Sequence, residues 1–255
     1  MQAGANTIAP EPYDVLGSRV TPFTSYDHAV ACVSERIRDH RPATCVALNP
    51  EKVYRAFHDP ELRGMLNRFD FGICDGVGVS AALRLLHGQR LARCTGVDLF
   101  HALLAASAER GWGVFLLGAT EETNRAAAAR LPTLFPGLRL AGRLHGYFRD
   151  PSEPIARITS CSPDLLFVAM GSPRQEEWIL AHRAELGVPF CMGVGGTLDV
   201  VSGRVRRAPK IFRKTGTEFL YRLLCEPRRI KRQVVLPLFA MRVMGRAISR
   251  GFASS

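Results

Sequence analysis

Short apolar runs alternate with amphipathic stretches along most of the chain. The amphipathic stretches have apolar residues at helical spacing, as from Ser25 to about His40, where Val30, Val33 and Ile37 share one face. The apolar runs are short enough to be buried strands, and five of them stand out: CVAL (45–48), FGICD (71–75), GVFLLG (113–118), DLLFVAMG (164–171) and PFCMGVGG (189–196).

Strands that read as continuous apolar runs are typical of a parallel sheet covered by helices on both faces. Their regular alternation with helical patterns predicts an α/β protein with a Rossmann-like, doubly wound and mostly parallel sheet. In such folds ligands bind beyond the carboxyl ends of the strands. Residues that directly follow the apolar runs are therefore the candidates for a functional site.

The C-terminal part of the chain differs from the rest in charge. From Arg204 onward there are fourteen basic residues against Glu218 and Glu226, a net charge of +12, whereas residues 1–203 carry a net charge of −1. We therefore predict a catalytic domain over residues 1–203 and a basic helical appendage over residues 204–255. Basic residues interleave there with bulky apolar ones, which favours the interface of an anionic membrane over a nucleic-acid-binding or simply solvated arm.

The length and position of the apolar segments indicate the cellular location that we expect. Two basic helices are predicted in the appendage, and Pro237 is expected to kink or interrupt the second. No uncharged apolar run reaches the roughly 18–20 residues that cross a bilayer. The N-terminus has no basic segment followed by an apolar stretch, so no secretory signal is indicated. We expect a cytoplasmic protein that is peripheral to the inner face of the membrane.

Glycine ends or follows three of the apolar runs, at Gly118, Gly171 and Gly195. A glycine at such a place lets backbone N–H groups approach a phosphate at the start of the next helix. Each glycine alone is a weak signal that is usually explained by turn formation, but three successive strand ends favour a nucleotide diphosphate site. A complete GxGxxG fingerprint with an acid for the ribose is absent, which counts against a nucleotide-dependent oxidoreductase, the leading alternative enzyme.

Three polar side chains near strand ends are candidates for chemistry. Asp75 is either a general base, since a carboxyl beside an apolar strand is partly desolvated, or the cap of the next helix. Asn49 is a helix cap or a substrate contact, and its spacing favours the cap. Gln175 needs no polar partner for folding at its place in a helix, so it is a candidate for ligand contact.

The cysteines and histidines give no sign of a metal centre. The seven cysteines include no CxxC pair and lie mostly in apolar segments, and the seven histidines lack HExxH spacing. An acidic DxD pair that could hold a metal diphosphate does not occur either. We therefore expect neither a metal nor a cofactor.

Eight short motifs follow one another from about residue 44 to residue 232: NPEKVYRA, FGICDGVGV, RCTGVDLF, GVFLLGA, HGYF, PDLLFVAMGSPRQEEWI, GVGGTLDVVSGRVRRAP and GTEFLYRLLCEPRRIKR. In this order they resemble the WecG/TagA/CpsF family of bacterial glycosyltransferases (glycosyltransferase family 26). The combination of GSPRQEEW with the basic C-terminal motifs is very specific. The resemblance favours a glycosyltransferase over the two alternatives, an oxidoreductase and a basic nucleic-acid-binding protein.

The resemblance implies an inverting enzyme that transfers N-acetylmannosamine, its uronic acid or glucose. The donor would be a UDP-sugar and the acceptor a polyprenyl-diphosphate-linked sugar, in the synthesis of cell-envelope polysaccharides or exopolysaccharides. We also expect the protein to bind an anionic membrane surface and not to bind nucleic acid. Whether it forms a homo-oligomer is not decided by the sequence.

The resemblance also implies roles for particular residues. Asp75 falls on the family's proposed base, and Asn49, Arg93 and Gln175 fall on pocket residues. The family's basic C-terminal segment docks on the membrane and helps to complete the site. Four arginines there become candidates for stabilising the leaving UDP, on which charge develops: Arg207, Arg222, Arg228 and Arg232.

Overall fold

The fold is built around six parallel strands. A computed structural model describes residues 9–89, 94–209, 211–212, 221, 223 and 234–253. A small antiparallel hairpin, β1 (Tyr13–Val15) and β2 (Ser18–Val20), precedes the sheet, whose strands are β3 (Ala43–Leu48), β4 (Phe71–Cys74), β5 (Gly113–Gly118), β6 (Arg139–Leu144), β7 (Leu165–Ala169) and β8 (Phe190–Gly193). These six strands lie side by side in the order β4-β3-β8-β7-β5-β6.

Helices connect and cover the strands. In the described residues they are α1 (Tyr26–Arg38), α2 (Pro50–His58), α3 (Pro60–Leu66), α4 (Val77–His87), α5 (Gly96–Arg110), α6 (Glu121–Leu134), α7 (Ser152–Cys161), α8 (Arg174–Leu186), α9 (Thr197–Val201) and α10 (Val235–Ala253). Several begin at a side chain that accepts a hydrogen bond from the first-turn backbone, as Ser25 does for α1, Thr95 for α5 and Thr120 for α6.

Apolar side chains cover both faces of the sheet. Every residue of β5 and of β7 is buried. Because side chains alternate along a strand, Val114 and Leu116 enter the core on one face, whereas Phe115 and Leu117 enter the core on the other. The continuous apolar runs therefore predicted the fold class correctly: the sheet is parallel and doubly covered.

The strand order brings four strand ends together. β8 pairs with β3 on one side, where Phe190 lies beside Ala43, and with β7 on the other, where Phe190 lies beside Leu165. β4 pairs with β3 in the same direction. The carboxyl ends of β4, β3, β8 and β7 are consequently neighbours along one edge of the sheet. The residues that follow them are close in space although they are far apart in sequence.

The C-terminal helix α10 packs on the body of the protein, against α2 and α4. Phe239 and Val243 are the buried side chains of that contact. Pro237, where an interruption was predicted, is the third residue of α10, and a first-turn residue has no intrahelical acceptor for its missing N–H. The preceding part of the predicted helix, residues 227–233, lies outside the described residues. In the described part of the chain, none of the helices combines the length and apolar character needed to span a membrane.

Candidate active site

A cavity of about 720 Å³ opens beyond the carboxyl ends of β3, β4, β7 and β8. Its volume lies in the range of small-molecule sites. One predicted residue after each of these strands lines it, together with one from α8: Asn49, Asp75, Gly171, Gly195 and Gln175. Five candidates chosen from separate segments of the sequence thus meet in one place.

Asn49 caps α2 and lines the cavity at the same time. Its Oδ1 accepts a hydrogen bond from the backbone N–H of Lys52 at 2.8 Å. The cap interpretation is therefore correct. Because the carbonyl oxygen is used by the cap, a contact to substrate would fall to the Nδ2 amide group.

Asp75 directly follows β4 and extends its pairing with β3. Its backbone N–H donates to the carbonyl oxygen of Leu48 at 3.0 Å. The cap of α4 is Gly76, at a φ of +93°, so the interpretation of Asp75 as a helix cap is wrong. Burial, and after it the charge of Asp75, raises the pKa of the neighbouring Cys94 thiol to about 12. The Asp75 carboxylate therefore lies in the cavity lining beside the buried and uncharged thiol of Cys94.

Gln175 holds the loop that follows β8. Its Oε1 accepts a hydrogen bond from the backbone N–H of Gly195 at 3.0 Å, and its Nε2 donates to Oε1 of Glu176 at 2.9 Å. Gln175 was predicted to need no polar partner for folding, but in the structure it has two, and both hold the site together. Gly193 makes room for this side chain, because a Cβ there would lie 2.6 Å from Nε2 of Gln175.

A buried ion pair lies beside Gln175, and it was not predicted from the sequence. Nζ of Lys52 donates to Oε1 of Glu176 at 2.8 Å, with side-chain exposures of 12% and 0%. In the sequence Glu176 fits the first turn of a helix, where an acid favours the dipole, so nothing marked it as buried. The available signal was Lys52 itself, one helical turn after the cap residue Asn49.

Arg207 is not among the residues that line the cavity. Its guanidinium pairs with the carboxylate of Asp98 in the first turn of α5. Asp98 also accepts hydrogen bonds from the hydroxyls of Thr95 and Tyr26. Burial raises the pKa of Asp98, but the hydrogen bonds from Arg207 and Thr95 outweigh it and leave the pKa below its usual value. Thr95 lines the cavity, so this pair ties the start of the appendage to the cavity wall.

The remaining predicted residues are one glycine and four arginines. Gly118 is absent from the lining of the cavity, and a Cβ at Gly118 would lie 2.4 Å from the carbonyl oxygen of Ala169. Packing against β7 therefore accounts for that glycine without a phosphate. The other predicted arginines lie outside the described residues: Arg93, Arg222, Arg228 and Arg232.

One wall of the cavity is apolar, in contrast to its polar floor, which we define as Asn49, Asp75, Gln175 and Gly195. It consists of one face each of α4 and α10, at helical spacing: Val77, Gly78, Ala81, Ala82 and Leu85 from α4, and Leu236, Phe239, Ala240, Val243 and Met244 from α10. Although Phe239 and Val243 are buried, Leu85 and Met244 are about half exposed. The wall therefore continues from the interior of the cavity to the surface.

The charged groups of the site do not form a metal centre. Among the residues that the structure describes, no group of three or more His, Cys, Asp or Glu side chains could hold a metal ion. The described cysteines form no disulfide with one another, and all but Cys161 are buried. The site as described offers an acid, amides, backbone N–H groups and cations for binding.

A Rossmann-like sheet with a polar cavity at its strand ends is the usual place for a nucleotide-linked substrate. The chain belongs to the glycosyl transferase WecG/TagA/CpsF family, whose model matches residues 13–252. This confirms the resemblance found in the sequence motifs. It also assigns the chain to the glycosyltransferases and so favours this class over the oxidoreductase and nucleic-acid-binding alternatives.

Two relatives from Bacillus are similar over nearly the whole chain. A protein from Bacillus spizizenii strain W23 is 32% identical over 231 residues, 91% of this chain and 88% of the relative. A protein from Bacillus subtilis strain 168 is 30% identical over 239 residues, 93% of this chain and 90% of the relative. Both are named N-acetylglucosaminyldiphosphoundecaprenol N-acetyl-beta-D-mannosaminyltransferase.

Proposed function

We propose that this protein transfers a sugar from a UDP-sugar to a saccharide linked to a polyprenyl diphosphate. The observation that carries the proposal is the two-sided cavity. Its polar floor suits sugar hydroxyls and diphosphate, and its apolar wall continues to the surface, where a polyprenyl chain could leave the site. The acceptor consists of a saccharide, a diphosphate and a long hydrocarbon. Its polar part therefore matches the floor of the cavity and its apolar part matches the wall.

The names of the two Bacillus relatives support a choice of substrates. They favour N-acetylmannosamine as the transferred sugar and N-acetylglucosaminyl-diphosphoundecaprenol as the acceptor. Glucose and the uronic acid of N-acetylmannosamine are the other two donors to test. These sugars differ by one or two groups. A site can discriminate between them because a polar side chain that finds no partner on the wrong sugar is left unpaired, which weakens binding of that sugar.

The proposed reaction is a single displacement with inversion at the anomeric carbon. The carboxylate of Asp75 takes the proton of the acceptor hydroxyl as that oxygen forms its bond to the anomeric carbon. The bond from the anomeric carbon to the diphosphate breaks on the opposite face, and UDP leaves with the electron pair. Backbone N–H groups of the loops around Gly171 and Gly195, other than the Gly195 N–H that Gln175 holds, would offset its charge, together with the predicted arginines Arg222, Arg228 and Arg232.

The appendage is the proposed contact to the membrane. α10 buries Phe239 and Val243 against the body and exposes Met241, Met244 and Ile248, on the same helix as Arg242 and Arg246. Apolar side chains among arginines suit an anionic lipid interface. We infer that the enzyme works at the inner face of the cytoplasmic membrane, where it meets a lipid-linked acceptor.

The experiment measures UDP release from a panel of UDP-sugars with and without N-acetylglucosaminyl-diphosphoundecaprenol in detergent. We expect turnover of one donor that depends on the acceptor. Asp75→Asn should bind UDP as the wild type does and lose about 10²- to 10⁴-fold in turnover, because it keeps shape and removes the base.

The matched control is Asp39→Asn, since Asp39 ends α1 and does not line the cavity. It should turn over normally. A folded protein that binds UDP but releases it from no donor would contradict the proposed reaction, and an active Asp75→Asn variant would remove Asp75 from it.

A further inference from the structure

The cavity contains a positive charge that the mechanism above does not use. Among its described lining residues the cations are Lys52 and Arg55, and the acids are Glu51 and Asp75. Arg55 is exposed at the mouth, whereas the Lys52 side chain is 12% exposed. Lys52 is therefore the better shielded of the two described cations in the lining, in a cavity whose Asp75 carboxylate would repel an anionic substrate.

The pairing of Lys52 leaves part of its bonding capacity for a ligand. An ammonium group has three N–H donors, and in the described residues Glu176 is the partner of one of them. A buried pair contributes little to stability compared with apolar side chains of the same volume, because both charges lose their hydration. Fold stability alone is a weak reason for a lysine at this place.

We propose that Lys52 is a further substrate-binding residue, which donates a hydrogen bond to a diphosphate group in the cavity. The inference rests on the proposed function, because it takes the diphosphate from there. Both substrates of that reaction carry this group: the nucleotide donor and the polyprenyl-linked acceptor. A charge-assisted hydrogen bond in a site shielded from water is strong enough to raise the binding affinity of the donor or of the acceptor.

Glu176 is the positioning residue for this contact. Its Oε1 accepts from Nζ of Lys52 and from Nε2 of Gln175, and Gln175 in turn holds the N–H of Gly195. One fully buried oxygen thus fixes side chains from α2 and α8 and, through Gln175, the loop after β8. Glu176 does not need to touch the substrate to set the place of the lysine ammonium.

The test compares Lys52→Met, Lys52→Arg and the double variant Lys52→Met/Glu176→Gln. The double variant removes both charges, so it avoids an uncompensated buried carboxylate that could prevent folding. Affinity for UDP is measured by calorimetry without acceptor, and the KM of the acceptor is measured by turnover. We expect a loss of about ten- to a hundredfold for the diphosphate that Lys52 contacts, with an unchanged melting temperature for the double variant. Lys52→Arg should keep most of the affinity.

The two measurements distinguish the donor diphosphate from the acceptor diphosphate. They also distinguish a failure of the role of Lys52 from a failure of the proposed transfer reaction. A weakened Kd for UDP identifies the donor, and a raised acceptor KM with normal UDP binding identifies the acceptor. Arg38→Met, on the exposed end of α1, is the control for losing one positive charge. Wild-type constants for both substrates in a folded double variant would overturn the role of Lys52 and leave the proposed transfer intact. Absence of UDP binding and turnover in the wild type would contradict the proposed function instead.

A second measurement follows the wild-type protein and needs a variant only for assignment. The chain has four lysines, Lys52, Lys210, Lys214 and Lys231, so lysine labelled with ¹³C at Cε gives few NMR signals. Lys52→Arg assigns the signal of Lys52. Saturation of the wild type with UDP, or with the acceptor in detergent, should shift that signal. A Lys52 signal that moves with neither substrate would refute the contact.

Discussion

Gly193→Ala tests whether the Gln175 side chain holds the floor of the cavity. Gly193 is the last residue of β8, and a Cβ there would lie 2.6 Å from Nε2, 3.1 Å from Cδ and 3.3 Å from Cγ of Gln175. The strand backbone is fixed by its pairing with β7, so the side chain of Gln175 has to move. Its hydrogen bonds to Gly195 and Glu176 would then be broken or strained.

The size of the effect follows from those two bonds. Each contributes about 0.5–1.5 kcal/mol, and the one to the Glu176 carboxylate belongs at the upper end. We expect the free energy of unfolding to fall by about 1–3 kcal/mol, which lowers the melting temperature by roughly 2–12 °C in a domain of this size. Release of the Gly195 N–H should also weaken UDP binding, since that loop forms part of the floor.

The assay is thermal unfolding together with calorimetric titration of UDP. Gly64→Ala is the matched control, because Gly64 lies in α3 and a Cβ there meets nothing within 4 Å. That change should stabilise the protein by about 0.5–1 kcal/mol, as alanine does in a helix interior. A Gly193→Ala protein with the melting temperature and UDP affinity of the wild type would refute the reasoning about Gln175.

Two further predictions concern the appendage. Because the pKa of Asp98 is lowered, its pair with Arg207 should stabilise the protein above the ordinary aspartate pKa of about 3.9 and lose that contribution as pH falls through the lower folded value. Asp98→Asn should therefore flatten the acid limb of a stability–pH curve, and an unchanged limb would contradict the pairing. Replacing the exposed Met241 and Ile248 by serine should leave the melting temperature unchanged and weaken sedimentation with phosphatidylglycerol vesicles at least about tenfold, whereas equal binding would exclude α10 as the lipid contact.

Much of the fold could be predicted because its determinants are local. The runs that became β5 and β7 are continuous and apolar, and helix starts such as Ser25 and Asn49 are marked by residues that cap the following backbone. Strand ends point to a site wherever a parallel sheet is recognised. Asp75 and Gly171 could therefore be placed near one another before the order of the strands was known.

The partners of the site residues could not be predicted, because they come from distant parts of the chain. Lys52 and Glu176 are 124 positions apart, and Asp98 and Arg207 are 109 apart. No periodicity within one helix reports such a pair. Gly118 is a different case: a glycine at a strand end suggested a phosphate, and contact with Ala169 is by itself a sufficient reason for its lack of a side chain. A glycine that contacts a phosphate and a glycine that allows close packing have the same local sequence. They can be distinguished only from the packing in the folded protein.

The position of β8 has a consequence for how the chain folds during synthesis. Among the described strands β8 is the last to be made, yet it lies in the middle of the sheet, between β3 and β7. Before residues 190–193 leave the ribosome, the sheet can exist only as two fragments, β4 with β3 and β7 with β5 and β6. Each fragment then has an unpaired apolar edge, the kind of surface on which nascent chains aggregate. A four-residue strand thus decides when the two halves become one protein, and the catalytic cavity forms at the same moment.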